Sequence, residues 1–72
     1  MDLVKRIEEI EEQIHALEQQ LDNLQKEIAQ ASQAQQVLRL RELSGTFAEV
    51  ETELAERLAE WERLASALQE SQ

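Results

Sequence analysis

The sequence predicts an all-α fold, an antiparallel coiled-coil hairpin of two helices. Three observations support this. The chain has no Pro and one Gly in 72 residues, so it lacks the usual residues of turns and strand ends, and good helix formers dominate it. Apolar side chains recur in its first half at steps of four and three residues, the spacing of a coiled-coil seam. A second apolar stripe follows, out of phase with the first, and matches it when the chain folds back.

The first helix is predicted to run from about residue 2 to residue 30. Its seam alternates between the heptad positions a and d without a slip. Ile7, Ile14, Leu21 and Ile28 take position a, and Leu3, Ile10, Leu17, Leu24 and Ala31 take position d. This stripe would also suit a parallel dimer.

A turn is predicted at about residues 30–32, followed by a second helix over about residues 33–69. Ser32 and Gln35 fit the S-x-x-Q form of a capping box. The alternative turn is at Ser44-Gly45-Thr46, but the second stripe keeps one register across Gly45, which we therefore expect inside the helix. The second seam is predicted to comprise Leu40, Leu43, Phe47, Val50, Leu54, Leu58 and Trp61. Its 3-4-4-3 spacing around Leu58 is a stutter.

Folding the second stripe back on the first gives nearly every apolar residue an apolar partner. Leu24 then faces Leu40, and Leu17 faces Phe47. Trp61 faces Leu3 or Val4 in this register, which leaves Leu64, Ala65 and Leu68 uncovered. A hairpin should be about 55–60 Å long, whereas one kinked helix in a parallel dimer would approach about 100 Å.

Composition limits the classes of function. The 72 residues make a single coiled-coil domain, residues 1–72, with no Cys for a disulfide and one His, too few for a structural zinc site. Sixteen acids against seven bases give a net charge of −9, which repels phosphate and anionic lipid. With no long apolar run, we expect a cytoplasmic protein that does not bind membranes. Its partner should be another protein or its own copy, as in a homodimer.

Three basic residues near the predicted turn, Lys26, Arg39 and Arg41, are candidates for contact with nucleic acid, a ribosome or a protein partner. The simpler interpretation is surface charge that balances Glu27 and Glu42. We predict no catalytic, cofactor or metal site. Glu12 and His15 have the Glu-x-x-His spacing of di-iron bundles, but Ile14 occupies the seam and turns both of them outwards. Trp61 is interpreted as a core or interface anchor.

Two groups of residues resemble the C-terminal coiled-coil domain of the F subfamily of ATP-binding cassette proteins. They are Ile7-Glu-Glu-Ile10 with Ile14 and Leu17 in the first helix, and Leu40-Arg-Glu-Leu43, Val50-Glu-Thr-Glu-Leu54 and Trp61-Glu-Arg-Leu64 in the second. The resemblance covers most of the chain and implies a non-catalytic arm of a soluble ATPase that acts on ribosomes or DNA. The chain departs from that family in lacking a basic stretch before the first helix and in having a loop rich in Gln and Ala.

Overall fold

The structure, a computed structural model, describes residues 2–71 as two antiparallel helices. Helix α1 spans Leu3–Gln33 and helix α2 spans Val37–Glu70. They pack along their length into a rod of 55 × 15 × 14 Å. The predicted hairpin is therefore confirmed, and its length excludes one continuous kinked helix. Residues 1 and 72, the ends of the predicted domain, lie outside the described residues.

Helix α1 begins where the sequence predicts, because Asp2 caps it. The Asp2 side chain accepts hydrogen bonds from the backbone N–H groups of Val4 and Lys5, at 3.1 and 3.3 Å. An Asp at this position satisfies donors that have no partner within the helix and places a negative charge at the positive end of the helix dipole.

The turn lies at Ala34–Gln36, later than the predicted residues 30–32, and Ser32 belongs to the last turn of α1. The N–H of Gln36 donates to the carbonyl of Ala31 at 2.9 Å, and that of Gln35 to the carbonyl of Ser32 at 3.1 Å. These two bonds form a Schellman motif, which ends a helix with one left-handed residue. That residue is Gln35, with φ of 55°. The predicted capping box does not form, because Ser32 lies within α1 and the N–H of Gln35 donates to the Ser32 carbonyl instead of its hydroxyl.

Gly45 lies inside α2, as predicted, and α2 runs through it without a break. No side chain fills the space beside its Cα, since a Cβ built there meets nothing within 4 Å.

The hydroxyls of Thr46 and Thr52 donate to the carbonyls of Glu42 and Ala48, at 3.2 and 3.0 Å. Each hydroxyl is thus satisfied within its own helix.

The later turn changes the register between the helices. The indole Nε1 of Trp61 donates to Glu11 Oε2 at 3.2 Å, whereas the predicted register places Trp61 opposite Leu3 or Val4. Each part of α1 therefore faces a point nearer the C-terminus of α2 than predicted. As a result the start of α1 reaches the last turns of α2, where the residues that the prediction left uncovered are half-buried: Leu64, Ala65 and Leu68.

The predicted stutter in the second seam is also corrected. Leu58 is 43% exposed, while Arg57 is half-buried and takes the seam step between Leu54 and Trp61. The seam of α2 thus keeps regular steps of three and four residues. Arg occupies a seam position because its methylene stem packs against apolar surface while its guanidinium reaches a carboxylate.

Candidate interaction surfaces

The turn end of the hairpin carries the three basic residues that the sequence singles out. Arg39 and Arg41 are exposed in the first turns of α2, and Lys26 is exposed on α1. Their side chains form no single cluster, because residues two apart on a helix point in different directions. The ammonium of Lys26 also forms an ion pair with Asp22 of its own helix at 3.2 Å. The structure therefore brings the three bases to one end of the rod but not into one pocket.

Two apolar side chains at the turn end complete this surface, and the sequence analysis does not single them out. Val37 is 65% exposed and Leu38 is 75% exposed, both in the first turn of α2. The N-cap residue of α2, Gln36, makes no side-chain capping hydrogen bond. The surface therefore combines exposed apolar groups, two guanidinium groups and a helix N-terminus that bears a partial positive charge.

The heptad positions of the two helices show which residues lie on each long side of the hairpin. In α2, position a is held by Leu40, Phe47, Leu54, Trp61 and Leu68, and position d by Leu43, Val50, Arg57 and Leu64. Two antiparallel helices are related by a two-fold axis that is perpendicular to the plane containing both helix axes. This axis exchanges the helices and keeps equivalent heptad positions on the same side of the seam. Positions a and e therefore share one side, termed the a/e side, and positions d and g share the other, termed the d/g side.

Two cross-helix hydrogen bonds mark these sides at the open end of the rod, opposite the turn. On the d/g side, Arg6 and Glu60, both at position g, form an ion pair at 2.8 Å. Glu60 also pairs with Arg57 at 3.2 Å. On the a/e side, Glu11 at position e accepts the indole N–H of Trp61 at position a.

Burial differs between the two sides. Six d residues are buried, with 1–9% of their surface exposed: Ile10, Leu17, Leu24, Ala31, Leu43 and Val50. All the a residues of both helices are only half-buried: Ile7, Ile14, Leu21, Ile28, Leu40, Phe47, Leu54, Trp61 and Leu68. The d residues therefore form the most buried part of the core, except at the open end, where Leu3, Arg57 and Leu64 are half-buried too. The a residues pack against this core and leave a partly accessible apolar strip along the a/e side.

Comparison with known proteins identifies the family. The sequence model of the ABC transporter C-terminal domain family matches residues 3–66, which includes almost the whole of both helices. The chain belongs to this family. No curated protein and no solved structure matched the chain. It is thus a small helical domain of ABC proteins, and it is not by itself the catalytic ATPase domain.

Within this ABC C-terminal domain, the Glu12 and His15 pair lies on the outer surface of α1, where both side chains are exposed. No group of three or more potential metal ligands comes together within residues 2–71. Over the same residues, neither helix is long and apolar enough to cross a membrane. The exposed large apolar side chains of the described residues lie at the turn end, with Val37 and Leu38, and on the a/e side, with Val4 and Leu58.

Proposed function

We propose that this ABC C-terminal domain is a non-catalytic coiled-coil arm of a cytoplasmic ATP-binding cassette protein, and that its turn end contacts the phosphate backbone of a nucleic acid, such as ribosomal RNA. The observation that carries the proposal is the position of Arg39 and Arg41, both exposed at the tip of a rod 55 Å long. A rod of this length separates its tip widely from its open end.

The charge distribution supports contact through the tip alone. The net charge of −9 repels phosphate along most of the rod. Arginine binds phosphate with two parallel hydrogen bonds, and the N-terminus of α2 adds a partial positive charge beside Arg39. Lys26 contributes less in this proposal, because its ammonium is already paired with Asp22.

A salt titration of RNA binding tests the proposal. We expect binding of a structured RNA to weaken as salt rises, and the double variant Arg39→Glu/Arg41→Glu to weaken it about tenfold or more at low salt. The matched control is Lys5→Glu/Arg63→Glu, which changes the net charge equally at exposed positions of the open end. Binding without salt dependence, or equal loss in both double variants, would refute a contact at the tip. Adding Lys26→Glu should weaken binding further by only a small factor.

The second candidate function is a structural coiled coil that binds its own copy or a partner helix through its seam. The half-buried a residues of both helices favour it, because further helix packing would cover them. Sedimentation tests binding to its own copy, since self-association changes the mass of the protein in the absence of RNA. Binding to a partner helix is tested with a peptide.

A further inference from the structure

We propose that the a/e side, at the open end of the hairpin, docks a third helix from a partner protein, and that this helix is amphipathic and positively charged. The proposal deepens the second candidate function by naming the chemical class of the partner. It is independent of nucleic-acid contact at the turn end, which lies at the opposite end of the rod.

The apolar strip at the open end is wider than elsewhere on the a/e side. Val4 and Leu58, both at position e, are 51% and 43% exposed. They flank the half-buried a residues Ile7, Leu54 and Trp61. On α2 the series Leu54, Leu58, Trp61 and Ala65 has the four-and-three spacing of a surface that receives a helix. A third helix laid along it would remove these side chains from water, and the burial of apolar area stabilises such a complex.

Charge determines what kind of helix fits. Acids at positions b and e border the strip on both helices: Glu8, Glu11, Glu18, Asp22, Glu51 and Glu62. The one Arg or Lys at these positions is Arg41, which lies near the turn. A partner with Lys or Arg beside its apolar stripe would pair with this border.

A second copy of the chain is disfavoured as the occupant. Each copy carries a net charge of −9, and two copies joined through their a/e sides would bring the same acidic borders together. Like charges across an interface oppose association. The occupant is therefore a cationic helix of a different sequence.

Trp61 offers a direct readout, because it is the single Trp of the chain and lies in the strip. The probe is a synthetic peptide of about three heptads, with Leu at positions a and d and Lys and Ala elsewhere. We expect it to bind and to shift the emission of Trp61 to shorter wavelength as water is excluded from the indole. A peptide with Glu in place of Lys should bind at least about tenfold more weakly.

Matched variants locate the site. Leu58→Glu should weaken binding of the Lys peptide about tenfold or more. Leu38→Glu, at the turn end, should leave the affinity for this peptide within about twofold of the unsubstituted protein. Both add one negative charge, so attraction for lysine cannot explain the loss. Val4→Glu is a second test if Leu58→Glu lowers the helix content. Glu51→Lys, on the a/e side, should weaken binding more than Glu53→Lys, at position g.

Three results would overturn the proposal. They are equal binding of the acidic peptide, binding of the Lys peptide that Leu58→Glu and Val4→Glu both leave unchanged, and a homodimer in sedimentation whose formation itself shifts Trp61 emission. Loss of RNA binding in Arg39→Glu/Arg41→Glu with unchanged peptide binding would support two separate surfaces.

Discussion

The two sides of this hairpin use similar apolar residues in different ways. On the d/g side Leu17 and Leu24 are buried. At the open end of the rod, Glu60 on this side forms ion pairs with Arg6 and Arg57. On the a/e side Leu21 and Leu54 stay half-buried, and Glu11 reaches Trp61. Residues at position d thus form the most buried part of the core, while residues at position a pack against it and keep part of their apolar surface accessible. The comparison indicates that hydrophobicity alone does not tell which seam residues are fully buried and which keep accessible surface.

The largest expected effect contrasts Leu24 with Leu21, two leucines three residues apart on α1. Leu24 at position d is 7% exposed, so Leu24→Ala should lower the free energy of unfolding by about 2–4 kcal/mol. Leu21→Ala at position a should cost less than about half as much, because the side chain is only partly removed from water. Urea denaturation followed by circular dichroism measures both. Equal losses would show that the two sides contribute equally to stability.

A medium effect is expected at the turn, which belongs to neither side. Gln35 has φ of 55°, and glycine adopts this conformation without the strain of a side chain. Gln35→Gly should therefore raise the free energy of unfolding by about 0.5–1 kcal/mol. In the stabilised background, the difference between Leu24→Ala and Leu21→Ala should persist, because distant substitutions are additive.

The control for the turn is Gln30→Gly, five residues earlier at an exposed position inside α1. The same substitution should there lower the free energy of unfolding by about 0.5–1 kcal/mol, because glycine is unfavourable in a helix. Two changes of the same sign would contradict the assignment of Gln35 as the left-handed residue.

The smallest effect compares the two carboxylates that span the helices. Glu60→Gln removes the charge that pairs with Arg6 and Arg57, and should lower the free energy of unfolding by about 0.5 kcal/mol. Glu11→Gln removes the same charge but keeps an acceptor for the Trp61 N–H, so it should cost less than about 0.5 kcal/mol. The gap between them should shrink at high salt, where exposed charges are screened. A gap that salt does not change would show that the ion pairs do not cause it.

Much of the fold could be predicted from the sequence, because the apolar spacing of α1 is regular from Leu3 to Ala31 and coiled-coil geometry follows from spacing. The turn could not be placed, since Gln35 takes a conformation usually given to glycine and so lacks the expected residue type. Because the turn was placed too early, the predicted register put Trp61 opposite Leu3 or Val4 and not near Glu11.

The seam near the open end was predicted incorrectly for a different reason. The sequence predicts Leu58 in the seam because it is apolar, and a charged residue such as Arg57 does not fit an apolar seam pattern. Only the three-dimensional arrangement shows that Glu60 pairs both with Arg57 of its own helix and with Arg6 of α1. The basic residues of the turn end were found from the sequence, and the a/e side required the burial of each residue.

The three-residue connection between the helices has a consequence for how the hairpin folds. Contacts beside the turn join residues close in sequence, whereas Arg6–Glu60 and Glu11–Trp61 span 54 and 50 residues. Loop closure costs more entropy as the enclosed chain lengthens, so we expect the helices to zip from the turn towards the termini and to open in the reverse order. Amide hydrogen exchange should accordingly be slowest near Leu24 and Leu43 and fastest near the termini. A helix docked beside Leu58 would then close the part of the hairpin that opens first.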